Sequence, residues 1–143
     1  MILLDTELET DEPLEDRCGE CTGCIDACPT GAIVAPYVVD ARRCISYLLG
    51  ELKGTIPEEI KSMIGNRIFG CDDCQWACPW NNIATVSTET SFVPRKELTS
   101  PLLVDLMNMD EDRFSKVFHD NPVSRIKWER FMRNVAVAAG NQG

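Results

Sequence analysis

Eight cysteines constrain this chain more than any other feature, because seven of them lie in two related runs. The first run is CGECTGCIDACP, residues 18–29, and the second is CDDCQWACP, residues 71–79. The second run repeats the CxxCxxxCP end of the first, and Cys44 lies alone between the two. Thiolates are ligands for soft metal centres. We therefore expect the fold to form around two such centres.

The first run has the spacing of the bacterial ferredoxin motif for a [4Fe–4S] cluster, in which the fourth cysteine binds the other cluster of a pair. The second run lacks a leading cysteine, and Cys44 completes the count of eight. If this crossing rule holds, both clusters take ligands from both runs. We predict cluster one at Cys18, Cys21, Cys24 and Cys78, and cluster two at Cys28, Cys44, Cys71 and Cys74.

Disulfide bonds and zinc sites are the two other uses that the cysteines could have. A disulfide framework is typical of secreted chains below about 80 residues, whereas this chain has 143 residues and an apolar start at 1–4 too short for a signal sequence. Zinc is the stronger alternative, because CxxC pairs also bind zinc. Structural zinc usually uses two such pairs, so the CxxCxxCxxxCP run favours iron–sulfur clusters.

The charge of the chain is uneven. A formal net charge of −9 argues against binding nucleic acid by total charge alone. Residues 1–28 hold nine acidic side chains and one basic side chain, whereas four basic residues gather near the C-terminus. These four are either a solvated helix face or part of a surface for RNA. They are Arg125, Lys127, Arg130 and Arg133.

Hydropathy and redox chemistry indicate the compartment. No stretch approaches the roughly 18 apolar residues of a membrane span. Eight reduced thiolates also need a reducing environment. We therefore predict a cytoplasmic protein without membrane contact.

Turn and capping signals predict an α+β fold that is mostly α, with a ferredoxin-like core around two clusters. A small hairpin is expected from strands at 32–34 and 37–39. Asp40 should cap a helix over 41–51, with Cys44 on its core-facing side beside Leu48. The predicted domains are an acidic linker, a double-cluster domain, and a loop with C-terminal helices. Their bounds are 1–17, 18–83 and 84–143.

Further capping signals predict four later helices. A Thr55–Glu58 capping box precedes the first of them, Ser100–Pro101 begins the second, and Asp110 caps the third. The helices are expected over 57–64, from 101 onward, over 111–118, and over 127–139.

Structural roles are expected for three aromatic residues and for the lone histidine. Trp76, Trp80 and Phe69 lie near the second run and are expected to form a core that shields a cluster from water. The alternative is an exposed docking surface for a flat cofactor. His119 is expected to be an ordinary residue at a helix end, not a ligand or proton carrier.

At these residues the chain resembles the epoxyqueuosine reductase family. The resemblance lies in CGECTGCIDACPTGAIVAPYVVDARRCISYL, ELKGTIPEEI and IGNRIFGCDDCQWACPWN, and SRIKWERFMRNVAVAAGN is similar to the family's helical segment after the clusters. It implies a cobalamin-dependent reduction of epoxyqueuosine to queuosine in tRNA, with electrons delivered by two [4Fe–4S] clusters. It also implies that cluster one lies nearer the cobalamin, and cluster two nearer an external donor such as flavodoxin or ferredoxin.

The resemblance also implies a missing part. The family's cobalamin- and substrate-binding domain precedes its cluster region, and here seventeen residues precede Cys18. We therefore expect an electron-transfer part of the enzyme, inactive as a reductase when alone, and assign no catalytic residue. The alternatives are a free-standing two-cluster ferredoxin, a fragment of a reductive dehalogenase, and a non-enzymatic RNA-binding module.

Overall fold

The computed structural model describes residues 3–142, so the first two residues of the apolar start lie outside the described residues. This part of the chain is mostly helical, with one two-stranded sheet, as predicted. The helices are α1 (Gly23–Asp26), α2 (Ile45–Gly50), α3 (Glu58–Ile64), α4 (Asp73–Trp76), α5 (Leu103–Met107), α6 (Glu111–Val117) and α7 (Lys127–Gly140). The strands are β1 (Ile33–Ala35) and β2 (Val38–Val39).

Short 3₁₀ helices connect several of these elements. They are Ala41–Arg43, Pro79–Ile83, Thr90–Phe92, Lys96–Leu98 and Pro122–Ile126. Between residues 3 and 142, no helix is both long enough and apolar enough to cross a membrane.

The predicted hairpin is present. β1 and β2 pair antiparallel, with Ile33 opposite Val39 and Ala35 opposite Val38. Tyr37 lies in the turn with φ +62°, a value that few residues with a side chain adopt. Its hydroxyl donates a 2.5 Å hydrogen bond to Asp16, which ties the turn to the segment before the first cysteine run.

The helix predicted over 41–51 is wrong in its first half. Residues 41–43 form a 3₁₀ turn, in which the Asp40 carboxylate accepts a hydrogen bond from the Arg42 backbone N–H. Cys44 then has an extended backbone with φ −70° and ψ 119°, and α2 begins after it. Cys44 is therefore the N-cap of α2 and not a residue within the helix, and its carbonyl accepts a 2.9 Å hydrogen bond from the Leu48 N–H.

Two predicted capping signals are not used. Pro57 and not Thr55 is the N-cap of α3, and no side chain caps that end of the helix. Leu102 and not Ser100 is the N-cap of α5, which begins at Leu103, and no side chain caps that end of the helix. The cap of α6 is as predicted, since Asp110 accepts a hydrogen bond of 2.7 Å from the Arg113 backbone N–H.

The core consists of two hydrophobic clusters joined by α7. The first contains residues of α2 and α3 together with Ile56, and Val137 of α7 packs against it. The second contains residues of α5, α6 and α7. Phe131 and Val135 of α7 are buried in this second cluster. The C-terminal helix therefore packs against both cores, and the domain division at residues 83 and 84 stays a prediction.

Candidate metal centre

The two cysteine runs fold alike. In each run a four-residue helix, α1 or α4, holds the cysteine before the last one. The Ala27 N–H donates to the Gly23 carbonyl at 3.1 Å, and the Ala77 N–H donates to the Asp73 carbonyl at 3.0 Å. Cys28 and Cys78 follow directly after these bonded turns. Equivalent spacing therefore produces equivalent local structure in both runs.

Helices α1 and α4 approach each other closely at Gly23. A Cβ atom at this position would lie 3.2 Å from the carbonyl oxygen of Ala77 and 3.8 Å from the Sγ of Cys21. A backbone contact this close leaves little room for a side chain, which explains the glycine. The approach brings Cys21 of the first run near the residue that precedes Cys78 of the second run. The assignment of Cys18, Cys21, Cys24 and Cys78 to cluster one stays a prediction.

The four cysteines predicted for cluster two surround one small cavity of about 100 Å³. Ile33, Val39 and Ile45 make its lining largely apolar. Four cysteine sulfurs from distant parts of the chain that line one cavity form the donor set of a [4Fe–4S] cluster, and soft thiolates suit such a cluster. The cysteines are Cys28, Cys44, Cys71 and Cys74.

Among residues 3–142, no group of three or more His, Cys, Asp or Glu side chains is arranged to hold one metal ion. All eight cysteines are free of disulfide bonds.

The thiols around the cavity differ in their electrostatic environment. Burial opposes the ionisation of Cys28, but hydrogen bonds from the backbone of Ala32 and Ile33 and from Thr30 outweigh it and lower its pKa. The Ala32 N–H lies 3.2 Å from the Cys28 sulfur. Burial raises the pKa of Cys74, and repulsion from neighbouring thiolates raises it further. Metal ligation requires deprotonated thiols, so iron binding at this cavity releases protons.

Thr30 and Arg43 connect the turn after Cys28 to the residue before Cys44. The Thr30 hydroxyl donates to the Arg43 carbonyl at 2.7 Å. The Arg43 guanidinium donates to the Thr30 carbonyl at 2.8 and 2.6 Å. Sequence reasoning missed this pair, although the position of each residue close to a predicted ligand was an available signal.

Arg67 and Asp73 form a second missed connection. One guanidinium nitrogen of Arg67 donates to both carboxylate oxygens of Asp73, at 2.9 and 2.7 Å. The other terminal nitrogen donates to the Ile64 carbonyl at 2.9 Å. Together these bonds tie the end of α3 to the start of α4. Asp73 also lines the cavity, so this link lies beside the predicted site of cluster two.

The prediction of an aromatic shielding core is wrong for Trp76. Its side chain is 83% exposed, because the cysteine-bearing side of α4 faces inward and leaves Trp76 on the solvent side. Trp80 is partly exposed and donates its Nε1–H to the Arg17 carbonyl at 3.1 Å. The Arg17 guanidinium lies 5.6 Å from the centre of the Trp80 ring. Phe69 does pack against the second core cluster.

We expect Trp76→Ala to change the free energy of unfolding by less than about 0.5 kcal/mol, because the lost side chain is mostly in solvent. Anaerobic thermal unfolding of the reconstituted chain measures this. Trp128→Ala is the matched control, since the Trp128 ring packs on Phe114 and Phe131 and its loss should destabilise the chain clearly more. Equal losses from both variants would contradict the exposed position of Trp76.

The basic residues near the C-terminus do not form one solvated face. Arg133 donates to the carbonyls of Leu48, Leu52 and Gly54, at 2.8, 2.9 and 2.6 Å. Arg130 donates to the carbonyl of Gly50 at 2.9 Å. These two arginines therefore bind the backbone at and beyond the end of α2.

The other two basic residues are more exposed. Arg125 forms a 3.0 Å ion pair with Glu51. Lys127 is exposed at the start of α7. His119 is exposed just beyond α6, at the kind of position predicted for it.

Comparison with known proteins agrees with this geometry. Residues 17–81 match the family model described as a 4Fe-4S double cluster binding domain, and this range contains all eight cysteines. Epoxyqueuosine reductase of Escherichia coli (strain K12) is 53% identical over 140 residues, which are 98% of this chain and 37% of that protein. The chain resembles part of epoxyqueuosine reductase over nearly its whole length. The predicted resemblance is thereby confirmed.

Solved structures of epoxyqueuosine reductases share the fold. One of them, a crystal structure with an epoxyqueuosine-modified tRNA-Tyr stem loop, matches with a TM-score of 0.86 and 40% identity, covering 93% of this chain and 35% of that one. A structure from Bacillus subtilis also matches with a TM-score of 0.86 and 40% identity, covering 94% and 36% of the two chains. The chain thus spans little more than a third of the epoxyqueuosine reductases that it matches.

Proposed function

We propose that this chain is the electron-transfer part of a cobalamin-dependent epoxyqueuosine reductase. It holds two [4Fe–4S] clusters, and the whole enzyme uses the electrons to reduce epoxyqueuosine to queuosine in tRNA. The observation that carries the proposal is the single cavity lined by four cysteines from distant parts of the chain. The proposed ligands are Cys18, Cys21, Cys24 and Cys78 for cluster one, and Cys28, Cys44, Cys71 and Cys74 for cluster two.

The residues of this chain bind the clusters and control their surroundings. When bound, the clusters accept and donate electrons one at a time at potentials set by hydrogen bonds, charge and solvent exposure. The N–H of Ala32 donates to the Cys28 sulfur and favours the more negative, reduced state of cluster two. Ile33, Val39 and Ile45 exclude water from the same cavity. Arg67 neutralises the carboxylate of Asp73, which lines the same cavity.

We infer the RNA partner of the whole enzyme from its relatives. A tRNA anticodon stem loop is the proposed substrate, because a related structure holds an epoxyqueuosine-modified stem loop. Among the basic residues, Arg125 and Lys127 are the proposed RNA contacts, since Arg130 and Arg133 bind backbone carbonyls. A flavodoxin or ferredoxin is the proposed electron donor, and the cytoplasm is the proposed compartment. We expect no reductase turnover from this chain alone, because cobalamin and the modified base are proposed to bind parts of the relatives that it does not match.

Anaerobic reconstitution of the chain, followed by iron, sulfide and zinc analysis and EPR of the reduced sample, tests the cluster content. We expect about eight irons and eight sulfides per chain, and the EPR spectrum of two interacting centres. Eight thiolates at these spacings bind two cubanes, and the short distance between the two cysteine runs couples their spins. About two zincs that iron does not replace would overturn the proposal in favour of a structural zinc module.

A further inference from the structure

Asn134 is a fully buried polar residue in the middle of α7, with 0% of its surface exposed. Its side-chain amide nitrogen donates to the carbonyls of Leu49 and Ile68, both at 2.9 Å. Its side-chain oxygen accepts hydrogen bonds of 3.0 and 2.8 Å from the Arg133 guanidinium. Both donor hydrogens of the amide are thus used on backbone far away in the sequence.

The two bonded carbonyls belong to the segments that carry two of the cavity cysteines. Leu49 lies in α2, which begins directly after Cys44. Ile68 lies three residues before Cys71. A single planar amide that donates to both segments holds them at a defined separation, because each hydrogen bond requires a distance near 2.9 Å and a nearly linear angle.

The neighbouring arginine strengthens this link. Arg133 donates to the carbonyl of Leu48 in α2 and to two carbonyls beyond the end of that helix. The last carbonyls of a helix have no partner within the helix and need one from elsewhere. Helix α7 supplies that partner, and Arg133 at the same time orients the Asn134 amide.

We propose that Asn134 is a positioning residue for cluster two, which sets the spacing between Cys44 and Cys71. This inference rests on the ligand set proposed above. It extends the site beyond residues 17–81, the range of the double-cluster domain, to a helix near the C-terminus. Without the amide, the buried carbonyl of Leu49 and the partly buried carbonyl of Ile68 lose their bonds, and the two segments separate to reach new partners.

Cluster one is the internal control for this proposal, because its loss can be compared with the loss of cluster two in the same chain. Its proposed ligands lie at 18–24 and at Cys78, and neither segment is bonded by Asn134. A residue that only stabilises the fold would affect both clusters alike. A residue that positions Cys44 and Cys71 affects cluster two first.

Asn134→Leu tests the proposal, because leucine keeps the branch at Cγ and has no hydrogen-bonding group. After anaerobic reconstitution of the full chain, we expect the iron content to fall about twofold, to about four irons per chain. The EPR spectrum should change from two interacting centres to one isolated centre. Circular dichroism of the same sample measures the helix content.

Asn141→Leu is the matched control. Asn141, at the end of α7, also donates its amide to two carbonyls, those of Lys61 and Gly65, at 2.8 and 2.9 Å. Both carbonyls lie at α3, which carries no cysteine. We expect this variant to keep the iron content and the EPR spectrum of the unchanged chain.

The outcomes separate this inference from the proposed function. An unchanged chain that fails to bind two clusters defeats the proposed function itself. If the unchanged chain binds both, then full iron content and an unaltered spectrum in Asn134→Leu overturn the positioning role. Equal loss of both clusters, or the same loss in Asn141→Leu, overturns it as well.

Asn134→Ser is the milder variant if the leucine variant does not fold. Its hydroxyl retains one donor, so we expect partial iron loss or a shifted reduction potential confined to cluster two. Potentials and iron content that match those of the unchanged chain would overturn the proposal.

Discussion

Cys44→Ala is expected to halve the iron and sulfide content of the reconstituted chain and to leave one intact [4Fe–4S] cluster. Cys44 lines the cavity with Cys28, Cys71 and Cys74, so its loss leaves three thiols where a cubane needs four ligands. Alanine offers no replacement ligand. Iron analysis and EPR of the reduced sample measure the result, which should show a single centre without spin coupling.

Cys18→Ala is the reciprocal control for this experiment. Cys18 is exposed and belongs to the proposed ligands of cluster one, so this variant should lose cluster one and keep cluster two. Together the two variants test which cysteines bind each cluster, and not merely the total number of clusters. The same surviving centre in both variants would contradict the partition, as would equal loss of both clusters in a chain whose helix content is unchanged.

Phe131→Ala is expected to lower the free energy of unfolding by about 3–5 kcal/mol, the usual range for removing a buried phenylalanine. Phe131 is 1% exposed and lies at the centre of the aromatic group of the second core cluster. Its ring centroid is 4.9 Å from that of Phe114, 5.3 Å from that of Phe118 and 6.1 Å from that of Trp128. Truncation removes these contacts and leaves a cavity that the three remaining rings fill only in part.

Anaerobic thermal or denaturant unfolding, monitored by circular dichroism, measures this loss. Phe92→Ala is the control, because Phe92 is the same residue type but is 76% exposed in a 3₁₀ turn. We expect its effect to stay below about 0.5 kcal/mol. Similar losses from Phe131→Ala and Phe92→Ala would show that the aromatic group is not the core of the C-terminal region.

Elements that depend on nearby residues were predictable from the sequence. The hairpin follows from two β-branched runs around Pro36, and the start of α6 follows from Asp110 at its N-cap. Helix α7 also occupies nearly its predicted range. Each of these signals acts within a few residues, so distant parts of the chain do not have to be known.

Elements that depend on contacts between distant segments were not predictable in the same way. The Thr55–Glu58 box has the right residues for a cap, but α3 starts at Glu58 without a side-chain cap. Tryptophan is a residue type that is often buried, but Trp76 lies on the solvent-exposed side of α4. Local propensity is a weak prior, and tertiary packing decides such cases.

The number, type and spacing of the cysteines sufficed to predict two [4Fe–4S] clusters, because cluster ligation requires particular residues at particular intervals. The division of the eight cysteines between the two clusters stays a prediction. The sequence did not reveal that Cys44 interrupts a helix, or that Arg133 and Asn134 of α7 bind the backbone beside it. Those contacts join residues about 85 positions apart. They arise from the folded path of the chain, which alone decides which buried carbonyls need a donor and which side chain reaches them.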